Sequence, residues 1–161
     1  MKLNSHFSFA SWISCDATLS RLIGNLRGFV YRRRHDARWT MEFVSDGIRD
    51  VIGYDPHRFI ANASIAFGDL IARSDWKRVN KEVQRAAQHQ RRIVTQYFIR
   101  TAYGAWAPIE DRLTPIVDAA GKILAIEGVI DRASYAQNDL DATPLDEAAP
   151  MHLSLSKTYT S

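Results

Sequence analysis

Cysteine is almost absent from this chain: Cys15 is the only thiol, so no internal disulfide can form and no thiolate cluster can hold a metal. A core held by packing, in a reducing compartment, is the expectation. No apolar run approaches the ~18 residues that a membrane span requires. The opening MKLNSHFSFASWISC is interrupted by Asn4, Ser5, His6, Ser8 and Ser11, which argues against an export signal and for a cytoplasmic location with no membrane partner. Nor is there much charge of one sign. With 21 basic and 18 acidic residues the net charge is +3, too small a surplus to argue for nucleic acid. Missing too are a Gly-x-Ser-x-Gly turn, a His-Glu-x-x-His helix, a phosphate loop and a Cys-x-x-Cys pair, so the chain is not expected to be an enzyme.

What is present is material for one core. Apolar residues make up 46% and charged residues 24%, near the averages for globular domains. From Asp16 the positions Leu19, Leu22, Ile23 and Leu26 recur on one helical face, with Ser14 or Asp16 as cap and Gly28 as terminator. FVYRRR and WTMEFVS, joined by HDAR, read as a hairpin. Between Asp46 and Leu70, Gly47, Gly53, Pro56 and Gly68 cut the chain into short helical pieces. Ser74 is positioned to cap a longer helix to about Gln88, with Trp76, Val79, Val83 and Ala86 or Ala87 on one face. RIVTQYFIR, APIEDRLTPIV and KILAIEGVID then form a three-stranded meander. Helices segregated from an antiparallel sheet define an α+β class. The organisation predicted is a flanking segment and helix over 1–27, a domain over 28–134 and a disordered tail over 135–161, polar and interrupted by Pro144 and Pro150.

This order, together with the segments NLRGFVYRRRHDARWTMEFVSDGIRDVIGYDP, FGDLIARSDWKRVNKEVQ and YFIRTAYGAWAPIEDRLTPIVDAAGKILAIEGVIDR, resembles the PAS family between about Leu19 and Asp131. The subclass is the one found ahead of bacterial histidine kinases and cyclic-di-GMP enzymes in two-component and related signalling. The chain departs from that pattern at Ala72-Arg73-Ser74-Asp75, where relatives carry His-Pro-Glu-Asp or His-Pro-Asp-Asp, and at Asp131-Arg132-Ala133, where relatives continue into an output helix. The resemblance implies a five-stranded antiparallel sheet, with several short helices and one longer helix across one face and an N-terminal helix outside. It further implies a sensory module that binds a small ligand or a signalling partner and relays its state without catalysis. The alternative is an adaptor or dimerisation module whose core is filled.

By matched position, the resemblance places a ligand pocket at Phe43, Ile48, Ile52, Phe59, Phe67, Leu70, Tyr97 and Ile126, and a homodimer or partner interface at Trp12, Leu19, Leu22, Ile23 and Leu26. Haem is not expected, because His57 sits on a Pro-containing turn and His89 at the end of the long helix, both read as solvated. Flavin photochemistry of the light-oxygen-voltage type is not expected either, because Cys15 lies outside the helical region that would carry the reactive thiol. Cys15 reads as a packed helix residue in preference to a redox sensor. Glu110 and Asp111 point to opposite faces of a strand and cannot converge as a catalytic pair. Glu127, in an apolar strand, is expected to pair with Arg112, and the cluster Arg32, Arg33, Arg34 and Arg38 is read as a solvated hairpin in preference to an anion site.

Overall fold

Alternation along FVYRR sends Phe29, Tyr31 and Arg33 to one side and Val30 and Arg32 to the other, the two-residue period of a strand with one buried face. This strand, β1 (Phe29–Arg33), opens a sheet in a computed structural model that describes residues 17–133. Trp12, Cys15 and the predicted 135–161 tail lie outside the described residues. The elements in chain order are α1 (Ala17–Gly24), β1, β2 (Met41–Val44), α2 (Ile48–Ile52), 3-10 turns at Pro56–Arg58 and Phe67–Leu70, α3 (Arg73–Gln88), β3 (Ile93–Arg100), β4 (Trp106–Val117) and β5 (Ile123–Arg132). The sheet runs β2-β1-β5-β4-β3 and every neighbouring pair is antiparallel.

The core lies between the inner face of this sheet and the helical cap. Val79, Val83, Ala86 and Ala87 of α3 are buried toward it, as their spacing predicts. Phe59, Phe67, Ile48 and Ile52 close it from the short pieces, and all four are fully buried. Burial of each such side chain contributes about 1.5–3 kcal/mol, which holds helices too short to persist alone.

Three boundaries differ from expectation. The first helix ends at Gly24, not Gly28, so Leu26 falls in the following turn. Helix α3 starts at Arg73 with Ala72 at its N-cap and no side-chain cap, so Ser74 does not cap it. Tertiary contact replaces the cap: the Ala72 amide donates to the Phe98 carbonyl at 3.0 Å, and Asp75 accepts from the Phe98 amide at 2.9 Å. In the hairpin, Trp39 and Thr40 precede β2 instead of belonging to it. Trp39 has φ 53°, a left-handed conformation costly for a bulky residue.

Candidate functional site

Strand alternation does more than bury apolar groups, because it also carries two charged residues inside. Arg33 shares the inner face of β1 with Phe29 and Tyr31, and Asp111 shares that of β4 with Ile109 and Leu113. Both are fully buried. The reading of Arg33 as part of a solvated cluster is therefore corrected: a residue between Tyr31 and the turn cannot face water when its i−2 and i−4 neighbours form the core. Arg32 and Arg34 do face outward. A bulge opposite Arg32 and Arg33 turns Glu42 to the same side, where it accepts from Arg32 and Arg34 at 3.1 Å each.

Inside, the polar groups form a closed ring of five side chains. The Tyr31 hydroxyl donates to the Asp111 carboxylate at 2.9 Å, and the Tyr97 hydroxyl donates to the same group at 3.0 Å. The Tyr97 ring meets the Trp39 indole edge-on at 6.0 Å, and the Arg33 guanidinium lies 3.5 Å from the centroid of that indole. Arg33 completes the circuit beside Tyr31, whose ionisation its charge favours. Gly128 of β5, paired with Tyr31, makes the crossing possible: a Cβ there would sit 2.9 Å from a carbon of the Tyr31 ring.

Electrostatics follow from the burial. Burial raises the Asp111 carboxyl to about 6, against the opposing pull of the Arg33 charge and the two tyrosine hydrogen bonds. Burial, and then the adjacent Asp111 charge, hold both tyrosines well above their ordinary value. At the rim, burial and the Arg33 charge lower His35. Next to His35 lies a groove of about 450 Å³ between the β1–β2 turn and α3, lined by Trp76, Lys77, Asn80 and Lys81 among others.

Of the residues assigned to a pocket, Ile48, Ile52, Phe59, Phe67, Leu70, Tyr97 and Ile126 come together in the core cluster. Phe43 does not. It pairs with Arg32, which puts it on the outer face of the sheet, half-buried. Within the cluster aromatic rings touch directly, Phe59 and Phe29 each meeting Phe67, at 6.0 and 6.3 Å. Of the interface residues, Leu22 and Leu26 are 58% and 47% exposed, Leu19 is exposed and Ile23 half-buried. Glu127 pairs with Arg32, not Arg112, because the register sets Glu127 opposite Arg32 and Thr114; Arg112 reaches Glu110 instead, at 3.2 Å. His57 is solvated and His89 lies exposed with Nδ1 2.8 Å from the Arg85 carbonyl.

The polar ring escaped sequence reasoning, although its signal was available. Once FVYRRR and IEDRL are read as strands with Phe29 and Ile109 inside, period two places Tyr31, Arg33 and Asp111 inside as well.

A cap of short helices over one face of a five-stranded antiparallel sheet, ordered β2-β1-β5-β4-β3, is the architecture of a PAS-type sensory domain. A family model described as PAS fold matches residues 41–130, and the chain belongs to the PAS family. Similar solved structures carry the same fold. One is the PAS domain of a protein from Colwellia psychrerythraea, at 14% identity over 72% of this chain and 94% of that one, with TM-score 0.59. A sensory box histidine kinase/response regulator from Burkholderia thailandensis is 18% identical over 71% and 82%, with TM-score 0.56. The N-terminal domain of a diguanylate cyclase with PAS/PAC sensor from Marinobacter aquaeolei is 12% identical over 66% and 94%, with TM-score 0.52. No curated protein matches the chain. Among the described residues no helix is long and apolar enough to cross a membrane.

Proposed function

We propose that this chain is a non-catalytic sensory module of a cytoplasmic signalling system, in which a small ligand held between sheet and cap shifts the cap and so changes a partner's state. The observation that carries this reading is the ring of Arg33, Trp39, Tyr97, Asp111 and Tyr31 inside an otherwise apolar core. Enclosing a cation, a carboxylate and two hydroxyls costs stability that an apolar core of equal volume would not lose. A recognition site gives such groups a use, since a few fixed polar groups in an apolar setting orient a small molecule. The unit that senses is 28–134, and the apolar side of α1 with Leu19, Leu22 and Ile23, together with Leu26, supplies a homodimer or partner surface.

A second reading has its own support. The aromatic contacts of Phe59, Phe67 and Phe29 fill space between cap and sheet, which favours an adaptor with a side-chain-filled core. Native mass spectrometry of the untagged 161-residue chain, before and after incubation with cell metabolites, separates the two. A ligand mass released on denaturation supports the sensor. A mass that stays that of the bare chain overturns it and favours the adaptor, and concentration-dependent dimer peaks test the α1 surface.

A further inference from the structure

At the end of the sheet where β5 finishes, a groove of about 300 Å³ opens between the start of α3 and the β3–β4 hairpin. Ile71, Ala72 and Trp106 give it apolar walls, and Arg73, Ser74 and Arg100 stand exposed along it. Asp69 also lines it, but its carboxylate already takes Arg38 at 2.9 Å. Asp75, in the first turn of α3, is engaged by Arg78 at 2.8 Å and by the Phe98 amide at 2.9 Å. Two arginines against one answered carboxylate leave the lining positive. The uncapped start of α3 adds potential of the same sign.

The chain itself leads an acidic segment to this groove. The Ala133 amide donates to the Pro108 carbonyl at 3.1 Å, two residues from Trp106 on β4. Trp106 pairs in turn with Arg100, whose guanidinium lies 5.9 Å from the indole centroid. Past that point the sequence carries Asp139, Asp141, Asp146 and Glu147, and between Arg132 and Lys157 it holds no lysine or arginine. The stretch from Ala133 to Asp139 spans up to about 20 Å, while two strand rises from Pro108 to Trp106 cover only about 7 Å. Reach is therefore ample. In an extended segment Asp139 and Asp141 share one side and Leu140 takes the other, so one short stretch offers carboxylates to the arginines and an apolar side chain to the walls.

We propose that the groove at Ile71–Ser74, Arg100 and Trp106 is the dock of the chain's own acidic segment, Asp139–Glu147, held by ion pairs to Arg73 and Arg100. The contact goes beyond the sensor reading and does not depend on whether the core takes a ligand. Attachment decides the occupant: a segment tethered nearby has an effective concentration on the order of millimolar, which a dilute acidic peptide does not match. Exposed ion pairs are individually weak and screened by salt, so docked and released forms exchange. A cationic partner that takes the segment uncovers the groove.

The test is paramagnetic broadening in the full-length ¹⁵N-labelled chain, with a nitroxide at Ala142→Cys in a Cys15→Ser background. Amides of Arg73, Ser74 and Trp106 should lose intensity, and those of Ala119 and Ala120, at the opposite end of β5, should not. Because a tether alone brings the label near Trp106, charge is the deciding variable. Neutralising each of Asp139, Asp141, Asp146 and Glu147 to its amide should lower the docked-to-free ratio about 1.4- to 5-fold, the range for one exposed ion pair, and Arg73→Gln should do the same from the other side. If Arg73→Gln does not fold, the tail variants decide alone, since they leave residues 17–133 unaltered. Broadening that is absent, or that survives neutralisation of all four acids unchanged, overturns the dock. Broadening that arises only between molecules, seen when nitroxide-bearing ¹⁴N chain is mixed with label-free ¹⁵N chain, makes a second copy the source of the segment and overturns the tethered form.

Discussion

Tyr31 and Tyr97 stand on β1 and β3, with β5 and β4 between them, and donate to one carboxylate, that of Asp111. The pair braces the inner face of the sheet across four strands. Replacing either tyrosine by phenylalanine removes a buried hydrogen bond to a charged group and should cost about 1–3 kcal/mol. Urea unfolding of Tyr31→Phe, Tyr97→Phe and the double variant should show non-additive losses, because both hydroxyls act on one acceptor. Additive losses would mean that the two bonds are independent.

The triplet Arg32-Arg33-Arg34 should respond unevenly to substitution. Arg32 and Arg34 make partly exposed ion pairs with Glu42, so Arg32→Ala and Arg34→Ala should each change stability by less than about 1 kcal/mol. Arg33→Ala leaves Asp111 without its balancing charge and removes the partner stacked on Trp39, and should cost about 3–5 kcal/mol. Equal losses at the three positions, measured by denaturant midpoint at constant slope, would contradict the burial of Arg33.

Stability should carry the signature of Asp111. A carboxyl raised from 3.8 to about 6 binds more protons folded than unfolded within that window, so its contribution improves as pH falls through it. Compared with Asp111→Asn, which cannot titrate, the unaltered chain should gain up to about 3 kcal/mol between neutral pH and about pH 4. His35 acts in the opposite sense, because a lowered imidazole loses stability as pH falls below its ordinary 6.5, but it is common to both proteins and cancels in the difference. A pH-independent difference would show that Asp111 is not raised.

Two glycine substitutions should separate close approach from mere exposure. At Gly128 an added Cβ would lie 2.8 Å from the Arg112 carbonyl and 2.9 Å from the Tyr31 ring, so Gly128→Ala should cost about 1–3 kcal/mol and displace Tyr31 from Asp111. At Gly24, the last residue of α1, nothing lies within 4 Å, and Gly24→Ala should be neutral or stabilise by up to about 1 kcal/mol. Thermal melts with tyrosine and tryptophan fluorescence report both effects.

Periodicity made most elements legible. The meander of β3, β4 and β5 and the buried side of α3 follow from local alternation and helical spacing, which do not depend on what lies across the core. Ladder partners were not legible in the same way. Neighbouring strands suggest Arg112 as the partner of Glu127, yet β1 returns on the other side of β5 and brings Arg32 to it. Phe43, placed in the pocket by matched position, faces outward instead, because a bulge that no local pattern announces sets which β2 residues face inward.

By itself the sequence determined the α+β class, the number of strands and their order along the chain, and, through the two-residue period, that Tyr31 and Arg33 share the face of Phe29 and that Asp111 shares the face of Ile109. Only the tertiary structure decided that these three meet. β5 inserts between β1 and β4, Gly128 leaves room for Tyr31 to cross it, and Trp39 folds back in a strained conformation to cover Arg33. The physical reason is range: a strand's period is set by its own backbone, whereas the partner of a buried charge is set by which distant strands pair and in which register.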